Sequence, residues 1–426
     1  DDINIAGDYL YVLGANKLYV YSTFTQGLIL QGSLVLPGSR PPANRRALFV
    51  GGDVAYVGLF TGYSTIDISD PSLPQLIALP PTAQSPVHEI IANGSGLVLA
   101  VNSLGSPSTR QVGLFDATDV NDVTQLLTSF DTPAQAQQVA IYNGIAYVAD
   151  AGAGLQVLNY QAYDAFGIIP SISLSTGGDT GDVVAGQFYR LSAEVNDDVQ
   201  VRNVEFYVDG IKVATDGNYP FEVRILAPAL SQQTSIIVKA RASDTGGNFT
   251  WTDEIVLGIS PDNISPKVAK LIPADGKIIG SLNTVTAIIS EPIDPLAVDN
   301  NLLTLLEAGI DTIFGTADDQ IILDGEVSFS DASLLLSRNF ASPLQPGLYQ
   351  ATISEALLDF SGNALEAPVS WQFTIYDVGA DRDADGVPDA LEQALGLDPD
   401  KADSDGNGTL DGDEDFDIDG LGDKII

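Results

Sequence analysis

The sequence predicts an all-β, multidomain fold, and three observations carry that expectation. Apolar and polar residues alternate in short runs bounded by Gly, Asn or Asp. One such run recurs every 43 to 48 residues, and further strand-turn-strand patterns continue to about residue 376. At 426 residues the chain is long enough for two to four domains.

The recurring run comes first. Gly7-Asp8-Tyr9-Leu10-Tyr11-Val12 returns as Gly52-Asp53-Val54-Ala55-Tyr56-Val57 and as Asn143-Gly144-Ile145-Ala146-Tyr147-Val148, with a weaker copy at Gly94-Ser95-Gly96-Leu97-Val98-Leu99. Each copy is followed by a small-residue turn and a second alternating run, such as Tyr63-Ser64-Thr65-Ile66-Asp67-Ile68. A period of this length suits one four-stranded propeller blade. The stretch from Ala55 through Asp67-Ile68-Ser69-Asp70-Pro71-Ser72-Leu73-Pro74 resembles the LVIVD repeat of bacterial extracellular β-propellers. The resemblance implies about four propeller units over residues 1–165, the last lacking its outer strand. That leaves a small propeller, part of a larger one, or one completed by a neighbouring molecule.

Residues 171–259 carry short strands, among them Val204-Glu205-Phe206-Tyr207-Val208 and Ile236-Ile237-Val238-Lys239-Ala240, with turns at Asp209-Gly210 and Asp244-Thr245-Gly246-Gly247-Asn248. A β-sandwich is the economical reading, and the segment resembles bacterial Ig-like domains of surface proteins. A Pro-bearing linker, 260–266, leads into residues 266–376. There Ile289-Ser290-Glu291-Pro292-Ile293-Asp294 and Leu358-Asp359-Phe360-Ser361-Gly362-Asn363 resemble a second bacterial Ig-like family, one seen in surface-layer proteins.

Charge narrows the function classes. With 57 acidic and 18 basic residues the net charge is -39, so nucleic acid and anionic membranes are repelled. The absence of Cys excludes disulfides, thiol chemistry and Cys-ligated zinc. No apolar stretch reaches the roughly 18 to 20 residues needed to span a bilayer. The missing Met marks Asp1 as the start of a processed or partial chain, expected to be exported.

The final segment, 377–426, holds 17 of the acidic residues and 3 of the basic ones. Asp381, Asp383, Asp385, Gly386, Val387, Asp389 and Glu392 occupy positions 1, 3, 5, 6, 7, 9 and 12 of an EF-hand-type loop. Carboxylates at odd positions converge on one cation, the glycine permits the turn, the Val387 carbonyl adds an oxygen, and a terminal Glu can bind through both oxygens. Hard oxygen donors favour Ca2+. Asp403, Asp405, Asn407, Gly408, Thr409, Asp411 and Glu414 repeat the pattern. Asp415, Asp417, Asp419, Gly420, Leu421 and Asp423 begin a third loop that reaches its twelfth position at Ile426. Pro388, Leu391, Leu395 and Gly396 predict a short helix after the first loop. With Gly396-Leu397-Asp398-Pro399-Asp400, the segment resembles bacterial thrombospondin type 3 calcium repeats. That resemblance brings Asp398 and Asp400 into the calcium shell.

No catalytic residue is assigned. His88 precedes Glu89, but Ala92 breaks the HExxH zinc pattern, and no G-x-S-x-G elbow is present. The resemblances imply an exported, extracellular, non-enzymatic structural or adhesive protein stabilised by calcium. Its expected partners are further copies in a head-to-tail filament, or cell-surface proteins and glycans. The alternative is a secreted hydrolase or carbohydrate-binding protein with its ligand site on the propeller and Ig-like spacers.

Overall fold

The computed structural model describes residues 2–414 apart from 15, 24–27, 37–47, 83, 103–110, 163, 165, 178–181, 377, 378 and 380. The fold is all-β, as expected, with one short α-helix among the described residues. The chain divides into two compact units: Asp1–Val184 with Phe188–Ser260, and Ala185–Gln187 with Pro261–Ile426.

The first unit begins with four small antiparallel sheets that follow the repeat. The first contains β1 (Asp2–Ala6), β2 (Tyr9–Leu13), β3 (Lys17–Ser22) and β4 (Ile29–Val35). The second contains β5 (Leu48–Gly51), β6 (Val54–Leu59), β7 (Gly62–Asp67) and β8 (Gln75–Ala78). The third contains β9 (Val87–Ala92), β10 (Leu97–Asn102), β11 (Gln111–Asp116) and β12 (Leu126–Phe130). The fourth has three strands only, β13 (Gln138–Tyr142), β14 (Ile145–Ala149) and β15 (Leu155–Leu158). The first strands meet in sequence, β1 on β5, β5 on β9 and β9 on β13.

Packing explains the different patterning of the blades. Interior blades are covered on both faces, so β10 is buried at every position and β6 at all but its first. The first and fourth blades alternate, with Tyr11, Leu13, Val139 and Val148 turned into the core.

The same unit contains the first sandwich. One sheet holds β16 (Ser171–Ser175), β18 (Phe188–Asn196) and β21 (Phe221–Leu226). The other runs through β17 (Asp182–Val184), β24 (Ile255–Ser260), β22 (Ser235–Asp244), β19 (Val201–Val208) and β20 (Ile211–Asp216), with β23 (Phe249–Trp251) beside β22. Asp209 and Gly210 both have positive φ and close the β19–β20 hairpin, the backbone that a two-residue type I′ turn requires.

The second unit contains a sandwich of two sheets. The smaller is β25 (Val268–Ile272), β27 (Thr284–Ile289), β31 (Leu335–Asn339) and β30 (Glu326–Ser330). The larger is β26 (Lys277–Ile279), β33 (Val369–Ile375), β32 (Gly347–Ile353), β28 (Leu303–Glu307) and β29 (Gln320–Ile322). Trp371, Phe373 and Tyr349 fill its core with Leu303, Leu305 and Ile353. Arg338 is buried, and its guanidinium donates to the carbonyls of Asn300, Leu303, Ile322 and Asp324. One side chain thereby ties together four carbonyls from the strand ends and loops around β28, β29 and β30. Helix α1 (Asp389–Leu395) follows, capped by Gly396 in the left-handed conformation, as the sequence predicts. Leu391 and Val387 pack on Tyr376 and Ile278, which fastens the acidic segment to this sandwich.

Candidate metal centre

The first acidic loop forms because short Asp side chains accept backbone N–H groups two to five residues on. Asp381 Oδ2 accepts from Gly386 N at 3.2 Å, Asp383 Oδ1 from Asp385 N at 3.4 Å, and Asp385 Oδ1 from Val387 N at 2.7 Å. Gly386 has a φ of 101°, the turn that its position requires. Asp381, Asp383 and Asp385 bring carboxylate oxygens within 4.8 Å of one another.

Asp385 belongs to a second group as well, with Glu392 and Asp411, again within 4.8 Å and all three buried. Glu392 is 0% exposed and neither carboxylate oxygen has a hydrogen-bond partner. Asp383 Oδ2 is buried and unpartnered too. Leaving a buried carboxylate without donors costs several kcal/mol, of order 3 to 5. Burial first, and then the neighbouring Asp383, Asp385, Asp389 and Asp411, push the Glu392 carboxyl up to about 7. The donor set is all oxygen and converges from a loop and a helix. It fits a hard divalent cation such as Ca2+. Asp381, Asp383, Asp385, Glu392 and Asp411 would hold it, with the Val387 carbonyl available in the same loop.

The remaining expected ligands are distributed differently. Asp389 faces Arg382, whose backbone N and Nε donate to it at 2.8 and 2.6 Å. Burial raises the Asp389 carboxyl, but those bonds hold it below the usual range. Asp398 pairs with Lys401 at 2.5 Å and Asp400 with Arg382 at 3.0 Å. In the second loop Asp403 accepts from the backbone of Gly406, Asn407 and Gly408, Asp405 from Asn407 N, and Asn407 Oδ1 from Thr409 N. Asn407 Nδ2 donates to Glu414 at 2.6 Å, which draws position 12 toward position 5. Asp411, counted in the sequence as position 9 of this second loop, is placed with the carboxylates of the first. Its carboxylate accepts from Ser404 N at 3.0 Å, and Gly412 N donates to Asp385 at 3.2 Å. Asp415, Asp417, Asp419, Leu421 and Asp423 lie outside the described residues.

Each sandwich also carries an acidic constellation that sequence reading passed over. In the first, Asp244 accepts from the backbone of Gly247 and Asn248, and Asn248 Nδ2 donates to both Asp244 and Asp164, at 2.9 and 2.6 Å. Burial, then Asp244, Asp198 and Asp164, push the nearby Asp197 carboxyl up to about 6. In the second, Asp359 accepts from Ser361 and Asn363, and Asn363 Nδ2 donates to Asp359 and to the Asp262 carbonyl, at 2.7 and 3.2 Å. The carboxylates of Asp262, Glu291 and Asp359 lie within 4.8 Å and are all buried, so they too could hold a cation. Gln187 Nε2 donates to both Asp262 and Glu291. The signal was the repeated D-x-x-G-N sequence, 244–248 and 359–363, with an acid in the segment before each sandwich.

Burial, with Asp262 and Asp359 beside it, pushes the Glu291 carboxyl up to about 7 from 4.5. A carboxyl raised in the folded state binds more protons there than in the unfolded chain. Stability is therefore lost as pH rises from about 4.5 through 7. In chelator, Glu291→Gln is expected to stabilise the second unit by about 3 kcal/mol at pH 8 and by little at pH 4. Thermal melts of parent and variant at the two pH values check this, and an equal shift at both would refute it.

His88 stands half-buried on β9, the first strand of the third blade, with Glu89 next to it. A cleft of about 310 Å3 in the first unit is lined by Tyr56, Gly94, Leu97, Thr118, Asn196 and Tyr219. None of these is a carboxylate or an imidazole.

Three family matches agree with this architecture. Residues 45–79 and 133–159 match the LVIVD repeat, 170–238 the bacterial Ig domain, and 262–375 a bacterial Ig-like domain. The chain is thus similar to bacterial multidomain proteins built from such modules, which are typically non-catalytic. No curated protein matches it. Among solved structures, the fibronectin(III)-like modules of Clostridium thermocellum CbhA are 17% identical over 49% of this chain and 95% of theirs, with a TM-score of 0.20. PorZ, a surface component of the type-IX secretion system of Porphyromonas gingivalis, is 11% identical over 61% of this chain, with a TM-score of 0.28. This chain spans 38% of PorZ. The Bacteroides ovatus glucan-utilisation protein SGBP-B, solved with a mixed-linkage heptasaccharide, is 16% identical over 50% of this chain and 48% of its own, with a TM-score of 0.17. No helix among the described residues is long and apolar enough to cross a membrane.

Proposed function

We propose that this chain is a calcium-stabilised, non-enzymatic structural or adhesive protein of the bacterial cell exterior, whose copies associate with one another. The observation that carries the calcium reading is Glu392, fully buried with both oxygens unpartnered among Asp385 and Asp411. A cation there neutralises acids that otherwise oppose folding of a segment with few apolar residues. The acidic segment resembles thrombospondin type 3 repeats, and bacterial Ig-like domains are common in extracellular proteins. Both support an exterior location, where free calcium is near millimolar. Extracellular modules bind calcium at roughly 0.1 to 1 mM, so each site adds about 0.4 to 1.4 kcal/mol at that concentration. Several sites together decide whether the acidic segment folds.

Isothermal titration with CaCl2, after chelation and dialysis, tests this reading. Saturable binding of at least one ion in or below the millimolar range is the expected result. Heats indistinguishable from dilution would overturn it.

A further inference from the structure

The second and third blades and the first sandwich, all within the first unit, line the cleft of about 310 Å3 described above. Tyr56 on β6, Leu97 on β10 and Thr118 after β11 come from the blades, and Asn196 at the end of β18 and Tyr219 before β21 come from the sandwich. The Asn93–Leu97 turn contributes backbone to the wall. Asn93 Oδ1 accepts from Ser95 N and Leu97 N at 2.8 and 3.0 Å, and Gly94 and Gly96 have φ values of +80° and +78°. What these two glycines face requires them to lack a side chain. A Cβ at Gly94 would overlap the Tyr219 ring, and one at Gly96 would overlap Thr118.

The lining combines aromatic surface with polar groups that the protein itself does not engage. Among the described residues no hydrogen bond reaches the Tyr56 hydroxyl, the Tyr219 hydroxyl or the Asn196 side-chain amide. Tyr56 is only 8% exposed. Burial raises both phenols above their ordinary value, so each is a neutral hydroxyl that can donate and accept, as the amide can. No charged side chain lines the cleft, in a chain with a net charge of -39. Half-buried polar groups without partners lose free energy relative to water, and a ligand that pairs them recovers it.

We propose that this cleft binds a neutral sugar of the size of a mono- or disaccharide. Its volume lies at the lower end of the range for small-ligand sites, and such sites favour boundaries between packed domains. An anion is disfavoured by the net charge and by Asp53 and Glu194, which act electrostatically on Tyr219. A cation finds no carboxylate in the lining to pair with. A purely apolar ligand would leave the hydroxyls and the amide unpaired. A pyranose supplies what remains: an apolar ring face for the tyrosines, and hydroxyls that donate and accept for Asn196, Thr118 and the phenols. The inference goes beyond the calcium-stabilised structural role and uses no residue of the acidic segment. It makes the first sandwich part of a binding site as well as a spacer.

Saturation-transfer NMR of the full chain tests it with glucose, galactose, mannose, N-acetylglucosamine, cellobiose, lactose and maltose, and with glucuronate and galacturonate as charged counterparts. At least one neutral sugar is expected to bind saturably, with a Kd of roughly 10 µM to a few mM, and equally in calcium and in chelator. The matching acid should bind at least about tenfold more weakly. Asn196→Ala and Tyr56→Phe should each weaken binding about three- to tenfold. Circular dichroism of both should match the parent, because Asn196 is exposed and the change at Tyr56 removes only a hydroxyl. A panel in which no neutral sugar binds would overturn the proposal, as would an acid that binds as tightly as its neutral parent. Binding that neither variant weakens, or that requires calcium, would place the sugar elsewhere and overturn the assignment to this cleft.

Discussion

Replacing Glu392 by Gln is expected to reverse its effect with calcium. Without the ion, Glu392 is a buried carboxyl whose oxygens have no donor, with Asp385 and Asp411 within 4.8 Å. Removing its charge relieves repulsion, so in chelator the variant should be at least as stable as the parent. With the ion, the same charge is a ligand in the group that fits Ca2+. The variant should then bind at the first loop at least about tenfold more weakly and gain correspondingly less stability. Hydrogen exchange of residues 381–414, with and without calcium, reads the segment directly. The parent should gain protection on adding calcium and the variant should gain much less. Equal gains in both would remove Glu392 from the site. Asp389→Asn separates the roles further. Its carboxylate is bonded to Arg382, so its loss should weaken the loop in chelator and calcium alike.

Local sequence carried much of this architecture, and long-range closure accounts for most of what it hid. The blade repeat was legible because each hairpin turn carries its own Gly-Asp or Asn-Gly signal, and the fourth blade's three strands were legible for the same reason. The first loop was legible through Gly386 and the alternating acids, and helix α1 through Pro388 and Gly396. Asp411 was assigned to its own twelve-residue frame because that pattern treats each loop as self-contained. The chain places it beside Asp385, 26 residues earlier in sequence, through the backbone bond from Gly412. Asp389 fits position 9 by spacing, yet Arg382 at position 2 of the same loop engages it. The sandwich constellations were hidden because Asp262, Glu291 and Asp359 come from a linker, a strand end and a distant loop. No periodicity links such positions, and only the duplicated D-x-x-G-N turn marks them.

Tyr219 shows how the first sandwich is fixed within its unit, and its removal is expected to be among the most damaging single changes there. Its ring lies between the β5–β6 turn, Gly51 and Gly52, and the β9–β10 turn at Gly94. It also contacts Phe49 and Phe221, at centroid distances of 6.1 and 6.0 Å. A Cβ on Gly51 or Gly94 would overlap the ring, and Gly94 has a φ of +80° that L side chains rarely adopt. Tyr219→Ala should cost about 3 to 5 kcal/mol, the range for emptying an aromatic site. Gly94→Ala should cost a similar amount, because it adds backbone strain to the clash. The two costs should not add. Once the ring is gone, the methyl at 94 has room, and only the strain of positive φ, about 1 kcal/mol, remains. Urea unfolding of the four proteins of this cycle, followed by tryptophan emission from Trp251 in the first unit against Trp371 in the second, measures the coupling. Both singles should move the first unit's transition and spare the second's, and fully additive losses would show that Tyr219 and Gly94 do not share one contact.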